Sequence, residues 1–124
     1  MSEGQPAILV RNLLEIFNER DETKRLAVIR ALYTEHAIFF ETDAAFQGLE
    51  QINRRVTEVL QTLPKEAQFR MVDKPSKNHD VARLSWTLGA ENGPTMASGM
   101  DVAVLEGERI AKLYLFIDPP LVGS

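Results

Sequence analysis

The chain contains no cysteine, which excludes disulfide bridges and thiolate metal sites. Histidine is scarce as well. His36 and His79 are too few for a histidine-rich metal centre, although a mixed carboxylate site stays open. No apolar run approaches the roughly 20 residues that span a bilayer, so no membrane partner is expected. Basic residues do not cluster. The 14 Lys and Arg are interspersed with 18 Asp and Glu for a net charge of −4, which argues against a nucleic-acid partner. The opening MSEGQPA has neither the charged nor the apolar region of a signal peptide, and the expectation is a cytoplasmic protein.

What is present is an ordinary globular composition. At 124 residues, 44% hydrophobic and 26% charged, the chain is one domain long enough to bury a core without covalent staples. The polar segment 1–6 reads as a tail, and so does 119–124.

The first half has helical period. Val10, Leu13, Leu14 and Phe17 mark one face, widened by Ile8, Leu9 and Ile16. Residues Asn18 to Asp21 break the pattern, and Asp21 is placed to cap a second helix over Glu22 to Thr34 with Leu26, Ile29 and Tyr33 on one stripe. The period then changes. His36 to Glu41 is aromatic and reads as a short strand, followed by a loop from Thr42 to Gln47. Gly48 opens a third helix whose apolar face is Leu49, Ile52, Val56, Val59, Leu60 and Leu63, ended by Pro64.

The rest reads as strands: Ala67 to Asp73, Val81 to Leu88, Thr95 to Leu105, and Arg109 to Asp118. Turns over Pro75 to Asp80, Glu91 to Pro94 and Gly107 separate them. Helices first and antiparallel strands last is the α+β pattern. The expected fold is N-terminal helices packed on a curved antiparallel sheet, forming a cone with an internal pocket.

One residue breaks the apolar grammar of the last hairpin. Asp101 sits mid-strand, and period-two alternation groups it with Ala97, Gly99 and Ala103, whose small size leaves space beside the carboxyl. A carboxyl among apolar walls has a raised pKa and, when protonated, can donate a hydrogen bond to a carbonyl oxygen. The alternative is an ion pair with a neighbour such as Arg83. On the final strand Leu113, Leu115 and Ile117 share one face while Lys112, Tyr114 and Phe116 share the other. Two largely apolar faces imply that the second is also covered, and a homodimer through the sheet is expected.

The order of these segments resembles the nuclear transport factor 2-like superfamily, in its SnoaL-like and ketosteroid-isomerase-like branch. The residues that carry the resemblance are LYTEHAIFFETDAAFQGLEQI (Leu32 to Ile52), VARLSWTLGAENGP (Val81 to Pro94) and GMDVAVLEGERIAKLYLFID (Gly99 to Asp118), together spanning about residues 7–118. The resemblance implies a cystatin-like cone with an apolar pocket, and often a dimer. It further implies that Asp101 matches the hydrogen-bonding acid and Glu41 the general base of a cofactor-independent proton transfer next to a carbonyl. The isomerases carry Asp followed by Pro where this chain has Glu41 and Thr42. Their first-helix tyrosine aligns with Leu13, and the loss of one such oxyanion donor costs on the order of 10²–10³ in rate.

His36 could orient Glu41 or move the proton, and otherwise caps a helix end. Tyr33, Phe39, Trp86, Leu113 and Leu115 are the expected pocket wall for a small apolar molecule. Tyr33 or Tyr114 could replace the missing donor if either points inward. Asp118 is a rim acid or a turn-starting residue. A hydrolase built on an Asp–Arg–Asp set would need Asp101 beside Arg83. The alternative to an enzyme is a non-catalytic ligand-binding or dimerisation module. Neither a metal nor an organic cofactor is required by this chemistry.

Overall fold

The first helix starts as α1 (Ala7–Arg11) and loosens into a π-helical turn over Asn12–Ile16, closed by the Phe17 N–H on the Asn12 carbonyl at 3.2 Å. The wider turn changes which side chains share a face. Leu9, Leu13, Ile16 and Phe17 are buried, while Leu14, expected on the apolar face, is 44% exposed. The computed structural model describes residues 7–119, so the expected tails lie almost wholly outside the described residues.

Asp21 caps α2 (Glu22–Leu32) as its position predicts, accepting from the Thr23 and Lys24 N–H groups at 2.9 and 3.0 Å. The buried stripe of α2 differs from the expected one. Leu26 is only half-buried, and the fully buried side chains include Arg25. Its guanidinium donates to Asn53 Oδ1 at 2.6 Å, to the Glu19 carbonyl at 2.6 Å and to the Asn53 carbonyl at 3.2 Å, and also reaches Thr57 Oγ1. A buried cation without such partners is costly, and here it pins α2 to α3 (Leu49–Gln61). The inward face of α3 is the predicted one, with Ile52, Val56 and Leu60 buried. Gly48 precedes it at φ 93°, a backbone that side-chain-bearing residues avoid.

Tyr33 does not end α2. It begins β1 (Tyr33–Glu41), three residues earlier than the sequence pattern places the strand. The predicted loop after it contains β2 (Ala44–Gln47), and the predicted Pro75–Asp80 turn contains β4 (Ser76–Asn78). The remaining strands are β3 (Gln68–Met71), β5 (Val81–Gly89), β6 (Thr95–Glu106) and β7 (Arg109–Ile117). They form one sheet in the order β2-β1-β7-β6-β5-β3, with β4 also on β5. The sheet is mixed rather than wholly antiparallel, because β1 runs parallel to β7. Only a long crossover can join parallel neighbours, and everything between β1 and β7 serves as that connection. Register shifts in the β1–β7, β5–β6 and β6–β7 pairs mark bulges, which add twist and bend the sheet around the helices.

The concave face and the helices share one core. Leu9, Leu13, Ile29, Ile52, Leu84, Ile110 and Leu113 are each no more than 1% exposed. Each such side chain contributes about 1.5–3 kcal/mol on burial. Among the described residues no helix is long and apolar enough to cross a membrane.

Candidate functional site

Strand β6 alternates cleanly between faces, and Asp101 falls on the buried one with Gly99, Ala103 and Leu105. It lies opposite Leu84 of β5 and Leu115 of β7, and is 3% exposed. Trp86 pairs across from Gly99. A Cβ at position 99 would stand 2.6 Å from the indole Cζ2 and 2.3 Å from the Phe116 carbonyl oxygen, so glycine lets the ring lie flat across β6. There the indole Nε1–H donates to Asp101 Oδ1 at 3.1 Å. The small residues beside Asp101 thus make room as expected, and at position 99 the room is filled by tryptophan.

Asp101 forms the floor of a cavity of about 480 Å³. Aromatic rings build its walls. Phe17 meets Phe39 and Phe69 edge to face at 5.8 and 5.9 Å, and Phe69 meets Trp86 at 5.1 Å. Phe69 is held in place by Asn18, whose amide exchanges two hydrogen bonds with the Phe69 backbone at 2.7 and 3.0 Å. Leu13, Val59, Leu63, Leu88 and Leu115 complete the apolar lining. Among the described residues, no protein donor other than Trp86 reaches the Asp101 carboxyl. Burial pushes its pKa from 3.8 up to about 7, against the smaller opposing effect of the Trp86 hydrogen bond.

The mouth is charged. Glu41, at the end of β1, accepts a forked pair from Arg55 of α3, with Nε at 2.7 Å and Nη2 at 2.9 Å. The third arm of Arg55, Nη1, donates to Glu58 at 3.1 Å. Asp43 and Thr42, in the β1–β2 turn, and Thr62 stand beside them. Arg55 also lies over the Phe46 ring at 5.3 Å. Among the described residues no group of three His, Asp or Glu side chains is arranged to hold a metal ion.

The structure brings Asp101, Glu41, Phe39, Trp86 and Leu115 to one cavity. It does not bring the other sequence candidates there. His36 is exposed on β1, on the alternation opposite to the inward Ala37 and Phe39, and neither caps a helix nor approaches Glu41 through a hydrogen bond. Leu113 is one inward position from Leu115 but lies in the solid core. Tyr33 is wholly buried and donates to Asn12 Oδ1 at 2.5 Å. Burial, and secondarily the Asp101 charge, pushes its phenol well above 10, so it stays neutral. It does not line the cavity and does not replace the missing donor there. Tyr114 stacks on Phe40 at 4.6 Å, on the alternation opposite to the inward Leu113 and Leu115. Arg83 is exposed and donates to Ser76 Oγ at 2.9 Å, which removes both the ion pair with Asp101 and the Asp–Arg–Asp arrangement. Asp118 is exposed and accepts from Ser98 Oγ at 2.7 Å, in keeping with a strand-end role.

Sequence reasoning missed the mouth: Arg55, Glu58 and Asp43. The spacing of Arg55 and Glu58, three apart beside the apolar Val56 and Val59, was the available signal.

No family model matches the sequence, and no curated protein matches it significantly. Solved structures do match. A protein of the SnoaL-like family from Agrobacterium tumefaciens C58, assigned as an isomerase, superposes with a TM-score of 0.85 at 23% identity, covering 96% of this chain and all (100%) of that one. A SnoaL-like protein from Jannaschia sp. CCS1, assigned as a polyketide cyclase, reaches 0.74 at 16% identity over 90% of this chain and 83% of its own. A Kribbella flavida protein assigned as a ketosteroid isomerase reaches 0.70 at 16% over 97% and 82%. At these identities the likeness shows the fold alone: this chain shares the cystatin-like α+β fold of these proteins.

Proposed function

We propose that the cavity binds a small apolar carbonyl compound, and that protonated Asp101 donates a hydrogen bond to its oxygen while a proton moves at the adjacent carbon. Isomerisation and aldol-type cyclisation are the reactions of this class. The observation that carries the reading is a buried carboxyl, with a pKa raised to about 7 and one oxygen to which no described residue donates, at the end of an aromatic cavity. Removing a proton next to a carbonyl builds negative charge on the oxygen. A neutral acid already aimed there in a dry site stabilises that charge more than it stabilises the ground state. Glu41 is the carboxylate at the mouth of the same cavity and is the proposed base. Arg55 donates once to each of its oxygens, so the proton is taken on a remaining lone pair or as the ion pair loosens. The names of the structural neighbours are consistent with this chemistry.

The test needs no knowledge of the natural substrate. Small ketones such as benzylacetone exchange the hydrogens next to the carbonyl for deuterium in heavy water, and proton NMR follows the loss of signal. Wild-type protein is expected to accelerate exchange, with Asp101→Asn slowing it by on the order of 10²–10³ and Glu41→Gln abolishing the acceleration. No acceleration by the wild type, or an Asp101→Asn variant as fast as wild type, overturns the reading.

The grip of Arg55 on Glu41 favours a second reading, a pocket that binds without turnover. It predicts that benzylacetone shifts the Trp86 indole signal while deuterium exchange stays at the uncatalysed rate.

We also propose that the convex sheet face pairs with a second copy of the chain. Phe40 stacked on Tyr114, with Phe116 58% exposed beside them, gives that face an aromatic surface. Sedimentation at micromolar concentration is expected to show a dimer, and monomer alone refutes the pairing.

A further inference from the structure

Among the described residues the ionisable side chains that line the cavity are Asp101 on the floor, and Glu41, Asp43, Arg55 and Glu58 at the mouth. Three carboxylates against one guanidinium leave the mouth two charges negative. The one guanidinium uses three of its five N–H donors on two of these carboxylates. Its Nε and Nη2 serve Glu41 and its Nη1 serves Glu58. Arg54 lines an adjoining small hollow with Phe46 and Gln51, which shares Arg55 and Glu58 with the mouth, and is not itself among the residues lining the cavity. Among the described lining residues the only cation is thus already paired with two carboxylates, and an entering carboxylate, sulfate or phosphate would compete with them. Two of the three mouth carboxylates do remain available to a positive group. Among the described residues Asp43 has no basic partner, and Glu58 is 55% exposed with a single bond to Arg55. Deeper in, the Asp101 carboxyl is 3% exposed with one oxygen that no described residue contacts by a hydrogen bond, so the buried end is left for the carbonyl and the open end for a positive group.

We propose that the mouth selects the ligand by charge, admitting an apolar carbonyl compound whose far end carries a protonated amine and rejecting one that ends in an acid. The proposal rests on the reading that this cavity is the ligand site. The fixed negative field at the opening attracts a cation during approach and holds it beside Asp43 and Glu58. An anion would meet the same field with the one lining guanidinium already paired to two carboxylates, so selection works by repulsion as much as by attraction. The rim is open to solvent, so the preference is moderate and sensitive to salt.

Three probes of one shape test this: benzylacetone carrying a para aminomethyl, hydroxymethyl or carboxylate group. Trp86 is the sole tryptophan and touches both the cavity and Asp101, so its indole N–H signal reports occupancy. At low salt the ammonium probe is expected to bind roughly tenfold more tightly than the carboxylate, with the hydroxymethyl probe between, and the gap is expected to close towards parity as salt rises to about half molar. Asp43→Asn combined with Glu58→Gln is expected to close the gap at low salt, because both side chains are exposed and their loss removes the field. If the hydroxymethyl probe binds but the order of the charged probes is flat or reversed, or survives the double substitution, charge selection is wrong and the carbonyl pocket stands. If none of the three moves the Trp86 signal at millimolar concentration, the cavity is not the ligand site and both readings fall.

Discussion

The burial of Asp101 can be tested without a ligand, through the stability of the protein. Its carboxyl is raised from 3.8 to about 7 by desolvation. An acid with this direction of shift holds its proton more tightly folded than unfolded. Between pH 3.8 and about 7 the native state therefore binds more protons than the unfolded state, and stability declines as pH rises through that window. Below the window the residue contributes nothing of this kind. Above it the full penalty stands, because the folded protein must carry a charge in a dry site. A shift of roughly three units at about 1.4 kcal/mol each makes that penalty about 4 kcal/mol.

Asp101→Asn removes the ionisation while keeping the shape and an acceptor for the Trp86 indole. The variant is expected to match the wild type near pH 4 and to exceed it by about 4 kcal/mol at pH 8, a large share of a typical domain's stability. Urea unfolding followed by far-ultraviolet circular dichroism across a pH series measures the difference directly. Comparing the two proteins at each pH cancels the contributions of the other carboxylates. A difference that stays constant from pH 4 to pH 8, or a variant that becomes the less stable one in alkali, would refute the claim that this carboxyl lies dry and without a counter-charge.

Three further outcomes follow from the packing. Gly99→Ala places a Cβ against the Phe116 backbone and the Trp86 ring, so it is expected to cost about 1–3 kcal/mol and to move the indole N–H signal as the ring is displaced from Asp101; an unchanged spectrum contradicts the stated contact. Arg25→Ala leaves the Asn53 and Glu19 acceptors without donors in the interior and is expected to cost about 3 kcal/mol or more in chemical denaturation, with a loss below about 1 kcal/mol refuting the role of the guanidinium as a pin between helices. Phe116→Glu puts a charge on the aromatic convex face and is expected to shift sedimentation from dimer to monomer, whereas an unaltered dimer places the interface elsewhere.

Much of the cone was legible from periodicity. The apolar face of α3 and the alternation of β6 depend on spacing within one element, and both are legible in the sequence. So is the burial of Asp101, because alternation assigns a residue to a face without reference to distant chain. The misplacements have a common cause. Leu14 left the apolar face because the π-helical turn reset the helical period, and Tyr33 joined β1 because its strand partner, Ile110, lies far along the chain. The parallel β1–β7 pairing was hidden for the same reason: no local pattern announces which strand will lie alongside.

The sequence by itself determined a cysteine-free α+β domain with one acid on the inward face of its longest strand, since composition and side-chain period are properties of the chain alone. Only the tertiary structure decided what surrounds that acid. Gly99 admits the Trp86 ring, Asn18 holds Phe69 over the cavity, and Arg55 reaches across from α3 to claim Glu41. Each of these contacts joins residues from different elements, and their energies depend on distances that exist only once the sheet has curled around the helices.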